Sequence, residues 1–268
     1  MNWGTTALAA IMVGVLSPSL CAQWPLHAVG IPKRPDGKPD LTASTPRTPD
    51  GKPDLSGVWT IAGGVDTRSL PFQPWAADLQ QKRAAENGLN DPDGLCLPQG
   101  PLQYHVDPQP LKIVQTPKQI LIVYESNYGL RTIYMDGRAL PKLGDPQPFW
   151  HGYSVGRWEG DALVVDSNNF RGVDPAEFKG AEPKSFFGVG WLDHRGSPYT
   201  TSMTLSERFR RVNYGQMDIE MTVDDPKAYT KPFTLRMTQR IVADGSEPIE
   251  FICHENQMFL KLTGRAPR

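Results

Sequence analysis

The chain has 268 residues, of which 25 are Gly and 26 are Pro, so about a fifth of it is turn and loop chemistry and long helices are not expected to dominate. Its 28 basic and 29 acidic residues leave a net charge of −1, which excludes the basic footprint that nucleic-acid binding requires. With 39% hydrophobic residues, among them 7 Trp, 8 Tyr and 10 Phe, it can bury a substantial core in one domain or at most two.

Residues 1–22 read as a secretory signal: an uncharged start, the apolar run Ala7 to Leu16, then Ser17, Pro18, Ser19, Leu20, Cys21 and Ala22. The run is too short for a permanent anchor, so no stable membrane span is expected and the mature protein is placed in the periplasm or outside the cell. Acylation of Cys21 is a second reading, set against bulky Leu20 where a small residue is expected. Once the signal is removed, Cys96 and Cys253 form the one available pair. A bridge between them in an oxidising compartment is worth up to about 4–5 kcal/mol in the chain-entropy model, and two unpaired buried thiols are the alternative.

Residues 23–54 read as a proline-rich extended leader, a spacer or a strap lying on the domain, and they carry the near-duplicates Asp36-Gly37-Lys38-Pro39-Asp40-Leu41 and Asp50-Gly51-Lys52-Pro53-Asp54-Leu55. Residues 55–268 read as a single β-rich domain. It starts with a strand at Leu55 to Ile61, and a helix follows between Pro74 and Asn87, opened by Pro74 and stopped by Gly88. Strands are then expected at Leu111–Gln115, Gln119–Glu125, Arg131–Asp136, Gly152–Trp158, Ala162–Ser167, Ser202–Val212, Gln216–Val223, Phe233–Val242 and Ile249–His254, with Glu159-Gly160-Asp161 as the clearest hairpin turn. Nine or ten antiparallel strands at short spacing predict an all-β fold, a meander barrel or a two-sheet sandwich with one short N-terminal helix.

The strings Asp50 to Trp59 (DGKPDLSGVW), Arg131 to Arg138 (RTIYMDGR), Tyr153 to Asp166 (YSVGRWEGDALVVD), Glu207 to Arg211 (ERFRR) and Asp225 to Thr234 (DPKAYTKPFT) resemble a large, mostly uncharacterised family of exported bacterial proteins, over about residues 46–256. The resemblance implies export and no particular reaction. Where that family carries histidines after its Trp-Leu-Asp segment, this chain has Tyr199 and Thr204. Gly57-Val58-Trp59 is also similar to the Gly-x-Trp that opens lipocalin-type barrels, which implies a calycin-like architecture.

Acid–base chemistry points to His151, in a loop entering a strand, and to His194 beside Asp193, with Asp193 expected to orient His151. Alternation puts Glu207, Phe209 and Arg211 on one face of their strand, with Ser206, Arg208 and Arg210 on the other. An inward Glu207, Arg208 or Arg131 would form an ion pair or grip a ligand. Tyr134, Trp150, Trp158, Trp191 and Tyr229 are expected to line an apolar pocket. No Gly-x-Ser-x-Gly, Walker, His-Glu-x-x-His or Cys-x-x-Cys pattern occurs, so no cofactor and no metal are expected. The leading expectation is an exported barrel that binds a small organic molecule. The alternative is a cofactor-independent lyase, isomerase, cyclase or hydrolase using His151 or His194 with Asp193 or Glu207.

Overall fold

The computed structural model describes residues 30–63, 65–145, 147–180, 186 and 188–253; the signal-like segment 1–22 and His254 lie outside them. Nine strands run in sequence order around a closed barrel: β1 Gly57–Ile61, β2 Leu111–Gln115, β3 Gln119–Tyr124, β4 Leu130–Tyr134, β5 Tyr153–Glu159, β6 Ala162–Asn168, β7 Thr204–Arg211, β8 Gln216–Asp224 and β9 Phe233–Ile241. Alternation decides which side chains enter the lumen. In β7 the buried residues are Leu205, Glu207, Phe209 and Arg211, and in β8 they are Met217, Ile219, Met221 and Val223. The apolar ones among them, with Trp59, Ile113, Ile122, Ile133, Leu163 and Met237, form one continuous core that fills the barrel.

Two features depart from the expected antiparallel series. β4 and β5 are parallel and meet only at Ile133↔Ser154 and Tyr134↔Val155, because the long connection 135–152 returns the chain to the end from which β4 set out. Residues Ile249–Cys253 are not a strand. β9 already pairs with β1 through Trp59↔Ile241 and Ile61↔Gln239, so closure leaves no edge for a tenth strand. Instead the chain leaves the wall, Ile249 N donates to Glu125 Oε2, and Cys253 is bridged to Cys96 with their Cα atoms 5.5 Å apart.

Each end of the barrel is closed differently. At the plug end lie α1 Pro74–Ala85, the short α2 Gln103–Val106 and the loop 188–200. Helix α1 stops where Asn87 and Gly88 take positive φ (53° and 69°). Its Arg83 is buried, with the guanidinium 4.5 Å above the Trp191 ring and donating to the carbonyls of Gly190, Gly196 and Val189. Gly100 lets the plug reach this loop, since a Cβ there would sit 1.5 Å from Trp191 O.

At the opposite end lies the strap. Its two Asp-Gly-Lys-Pro-Asp copies fold identically: Arg34 N, Gly37 N and Asp40 N donate to Lys38 O, Arg34 O and Pro32 O, and Thr48 N, Gly51 N and Asp54 N donate to Lys52 O, Thr48 O and Pro46 O. Only the second copy docks deeply. Leu55 is fully buried, Arg47 pairs bidentately with Asp161, and Arg211 reaches out of the lumen to donate to the carbonyls of Asp54 and Tyr214 while stacking on Trp59.

The bridge ties the post-barrel segment to the plug across a sequence separation of 157. Cys253→Ser is therefore expected to lower unfolding stability by about 2–5 kcal/mol in urea titration under oxidising conditions. An unchanged midpoint would show that the tie contributes nothing.

Candidate functional site

Apart from Arg211 at the strap end and Gln239 on β9, the buried polar side chains on inward positions of the wall form one belt near the plug end, on four consecutive strands: Arg131 on β4, Ser154 on β5, Ser167 on β6 and Glu207 on β7. All four are at least 96% buried. The registers Ile133↔Ser154, Ser154↔Ser167 and Ser167↔Leu205 bring them to one level of the wall. Arg131 donates from Nε to Ser154 Oγ (3.1 Å), from Nη1 to Glu207 Oε1 (3.0 Å), and from Nη2 to Ser167 Oγ (2.9 Å) and Glu207 Oε2. This bidentate fork is the strongest geometry available to an ion pair. It also occupies the guanidinium, so Arg131 is a brace rather than a free ligand anchor.

His105 of α2 caps the pair from the plug side. Its Nε2 stands 3.5 Å from Glu207 Oε1 without hydrogen-bond geometry, and Gln239 Nε2 donates to its Nδ1 (3.2 Å). Burial alone would raise the Glu207 pKa, but the Arg131 charge and the polar contacts of His105 and Arg131 outweigh it and hold the carboxylate at about 2. Glu207 is thus fixed in its ionised form.

His151 sits at the rim of this belt. Its ring lies 5.2 Å from Tyr104 and 6.0 Å from Tyr124, which themselves stack at 4.1 Å. Burial, and then the nearby Arg131 charge, lower its pKa to about 4, so the imidazole is neutral at physiological pH. Burial also pushes Tyr124 up to about 12, with Arg131 opposing. His151 is half-buried, and neither ring nitrogen has a hydrogen-bond partner among the described residues.

Asp193 does not reach His151. Residues 192–196 form a turn rather than a strand, and Asp193 accepts from Arg195 N, Ser197 N and Ser197 Oγ, which close the turn on itself. His194 points the other way, with Nε2 2.6 Å from Asp107 Oδ1 and Nδ1 3.2 Å from Asp91 Oδ2. Burial alone would lower its pKa, but the hydrogen bonds to Asp107 and Asp91 prevail and raise it to about 10.

The expected pocket lining does not converge. Trp191 is buried beneath Arg83, and Tyr229 is buried with its hydroxyl donating to Pro198 O and its ring packed on Phe72 and Phe233. Trp150 lies under Arg171, Trp158 packs on the core from the strap end of β5, and Tyr134 stacks on Tyr153 on the outside of the wall. Arg208 faces outward, donating to Glu159 Oε2, in an open groove of about 870 Å³ shared with Arg210, Asp218, Glu220 and Arg236. A second groove, of about 540 Å³, runs between the outer face of β3–β4 and residues 248–252. Sequence reasoning missed His105, Ser154, Ser167, Tyr104 and Tyr124. The alternation of β5 and β6 carries a signal for the two serines, whereas a helix as short as α2 carries none for His105.

Two outcomes follow. Glu207→Gln, which strands a buried guanidinium, is expected to cost about 3–5 kcal/mol in urea unfolding, whereas the double variant Arg131→Met/Glu207→Leu recovers most of that loss because Ser154 and Ser167 still bond each other at 2.8 Å. The stability supplied by His194, whose folded pKa is raised, is complete below its unfolded value near 6.5 and is lost as pH rises through about 10. Imidazole NMR titration is expected to place His194 near 10 and His151 near 4, and His194→Gln to be less stable than the parent at pH 7 by a margin that vanishes above pH 10.

No protein-family model and no curated protein matches the chain. Among solved structures it is similar to a secretary abundant heat soluble (SAHS) protein from Ramazzottius varieornatus, with 10% identity, 70% of this chain and 95% of that chain covered, and a TM-score of 0.32, a likeness too distant to bear on function.

Proposed function

We propose that this is an exported β-barrel protein that binds a small organic molecule at the plug-end rim, against His151, Tyr104 and Tyr124. One observation carries the reading: a neutral imidazole, flanked by two tyrosine rings, keeps both nitrogens unbonded among the described residues while the Arg131 and Glu207 charges beside it are paired. Such a ring accepts or donates one hydrogen bond to a ligand, and the tyrosines supply a flat apolar wall. The Cys96–Cys253 bridge supports an oxidising compartment, and no helix among the described residues is long and apolar enough to cross a membrane.

Acid–base catalysis by the expected residues fits less well. An efficient general acid or base has a pKa near the working pH. His151 is displaced to about 4, Glu207 to about 2 and His194 to about 10, each away from neutrality. Asp193 is committed to its own turn.

The test is native mass spectrometry of protein taken from its own cell envelope or medium, for the parent and for His151→Ala. The parent is expected to carry a co-purifying small molecule that is lost or at least tenfold depleted in the variant. A parent that is empty in every preparation, or a ligand retained equally by both, overturns the assignment.

A further inference from the structure

The outer surface of the barrel is two-faced. On β7–β9 outward charges pair off, Arg236 with Glu220 and Arg208 with Glu159 of β5. On β3–β4 the outward Val123 and Leu130 stand directly opposite each other, 37% and 55% exposed. Residues 248–252 run alongside this pair and add Ile249 and Ile252, 67% and 46% exposed, so the groove of about 540 Å³ between them keeps large apolar side chains in water on both walls. Such a grouping marks a surface that takes a partner.

The second wall is tied in place. Lys112 Nζ holds Glu247 Oε2 at 2.6 Å, Ile249 N donates to Glu125 Oε2 at 2.9 Å, and the Cys253–Cys96 bridge fixes the far end. The charge of the groove has one sign: Glu125 and Glu250 line it, and no Lys or Arg does. The two are brought together by the amide that Glu125 accepts from, which belongs to the residue before Glu250. Glu125 Oε1 and the Glu250 carboxylate have no hydrogen bond or ion pair among the described residues. Lys112, opposite Val123 on β2, is already neutralised by Glu247.

We propose that this groove binds a small organic cation with an apolar body, an alkyl- or arylalkylammonium ion, its body against Val123, Leu130 and Ile252 and its head at the carboxylates of Glu125 and Glu250. Each property of the ligand answers a feature of the walls. Apolar side chains on both sides cover the body, and Phe251 adds aromatic surface, which also attracts a cation. Two carboxylates without partners draw in a positive head and repel an anion, while an uncharged ligand gains nothing from them. A volume of about 540 Å³ suits one small molecule rather than a protein surface. The carboxylates remain open to water, so the preference for a cation over an uncharged analogue is modest and is screened by salt. Tyr124 lines both this groove and the rim at His151, and His151 itself, which the groove does not include, tells the two sites apart.

The experiment is equilibrium dialysis of the disulfide-intact protein at pH 7 against three probes that share one ring system: 1-naphthylmethylammonium, 1-naphthylmethanol and 1-naphthylacetate. The ammonium ion is expected to bind one per chain and about fivefold more tightly than the alcohol in about 20 mM NaCl, the acetate more weakly than either, with the margins shrinking in about 500 mM NaCl. Glu125→Gln keeps an acceptor for Ile249 N, and Glu250 is exposed, so Glu125→Gln and Glu250→Gln fold as the parent does by urea midpoint. Each is expected to bring the ammonium ion towards the alcohol while leaving the alcohol unchanged. Leu130→Lys, at an exposed position, is expected to reverse the order in favour of the acetate, and His151→Ala to change nothing. Equal binding of the three probes, no binding of the ammonium ion, ammonium binding untouched by both Gln variants, or its loss in His151→Ala overturns the proposal.

Discussion

A barrel wall is only as continuous as its weakest seam, and here that seam is the parallel junction of β4 and β5, joined at Ile133↔Ser154 and Tyr134↔Val155 alone. Side chains supply what the backbone ladder lacks. The Arg131 guanidinium, rooted on β4, crosses the seam to Ser154 on β5 and continues to Ser167 on β6 and Glu207 on β7. Four strands are thereby fixed to one planar fork whose geometry tolerates little displacement. Such a pair is a weak source of net stability, since two charges must leave water to form it, but once formed it makes any slippage of β4 against β5 leave a charge stranded. The rim histidine follows from the same arrangement, because burial and then the charge of Arg131 keep His151 neutral.

Both barrel ends are closed by segments outside the strand ladder, and each uses a buried arginine on backbone carbonyls. At the plug end Arg83 gathers the carbonyls of Val189, Gly190 and Gly196. At the strap end Arg211 does the same for Asp54 and Tyr214. A guanidinium suits this task, since its five donors satisfy several carbonyls of an irregular loop at once and its flat faces lie on Trp191 and Trp59. Irregular backbone can then be buried without orphaned acceptors.

The amino-acid sequence displays the wall more clearly than the site. Strict alternation in Thr204–Arg211 marks Glu207 as inward, and Arg131 shares its face with Ile133, so both members of the buried ion pair are legible. Their partnership depends on register across three strand pairs, which no local pattern encodes. Asp193 misleads because its neighbours look strand-like, while its own carboxylate closes a turn on Arg195 and Ser197. Ile249–Cys253 has strand composition without strand structure, since the closed ladder has no vacant edge. The plug is the least legible part: its polar residues are spread from Asp91 to His194 and come together only through loops and a helix of one turn.

The twin turns of the strap differ in what they touch but not in how they hold themselves together. Each closes on hydrogen bonds between its own residues, and each returns the chain along the line on which it entered, through the bridges Lys33↔Pro39 and Arg47↔Pro53. Such a unit behaves as a link that can be added or dropped whole. Loss of the first link would leave Leu55 in its socket and the register of β1 unchanged, but the β7–β8 turn would lose the acceptors it now finds in the strap, Leu41 O for Gly215 N and Ala43 O for Tyr214 N. The first link is therefore a clasp on that turn, while the second is the anchor of the barrel's first strand.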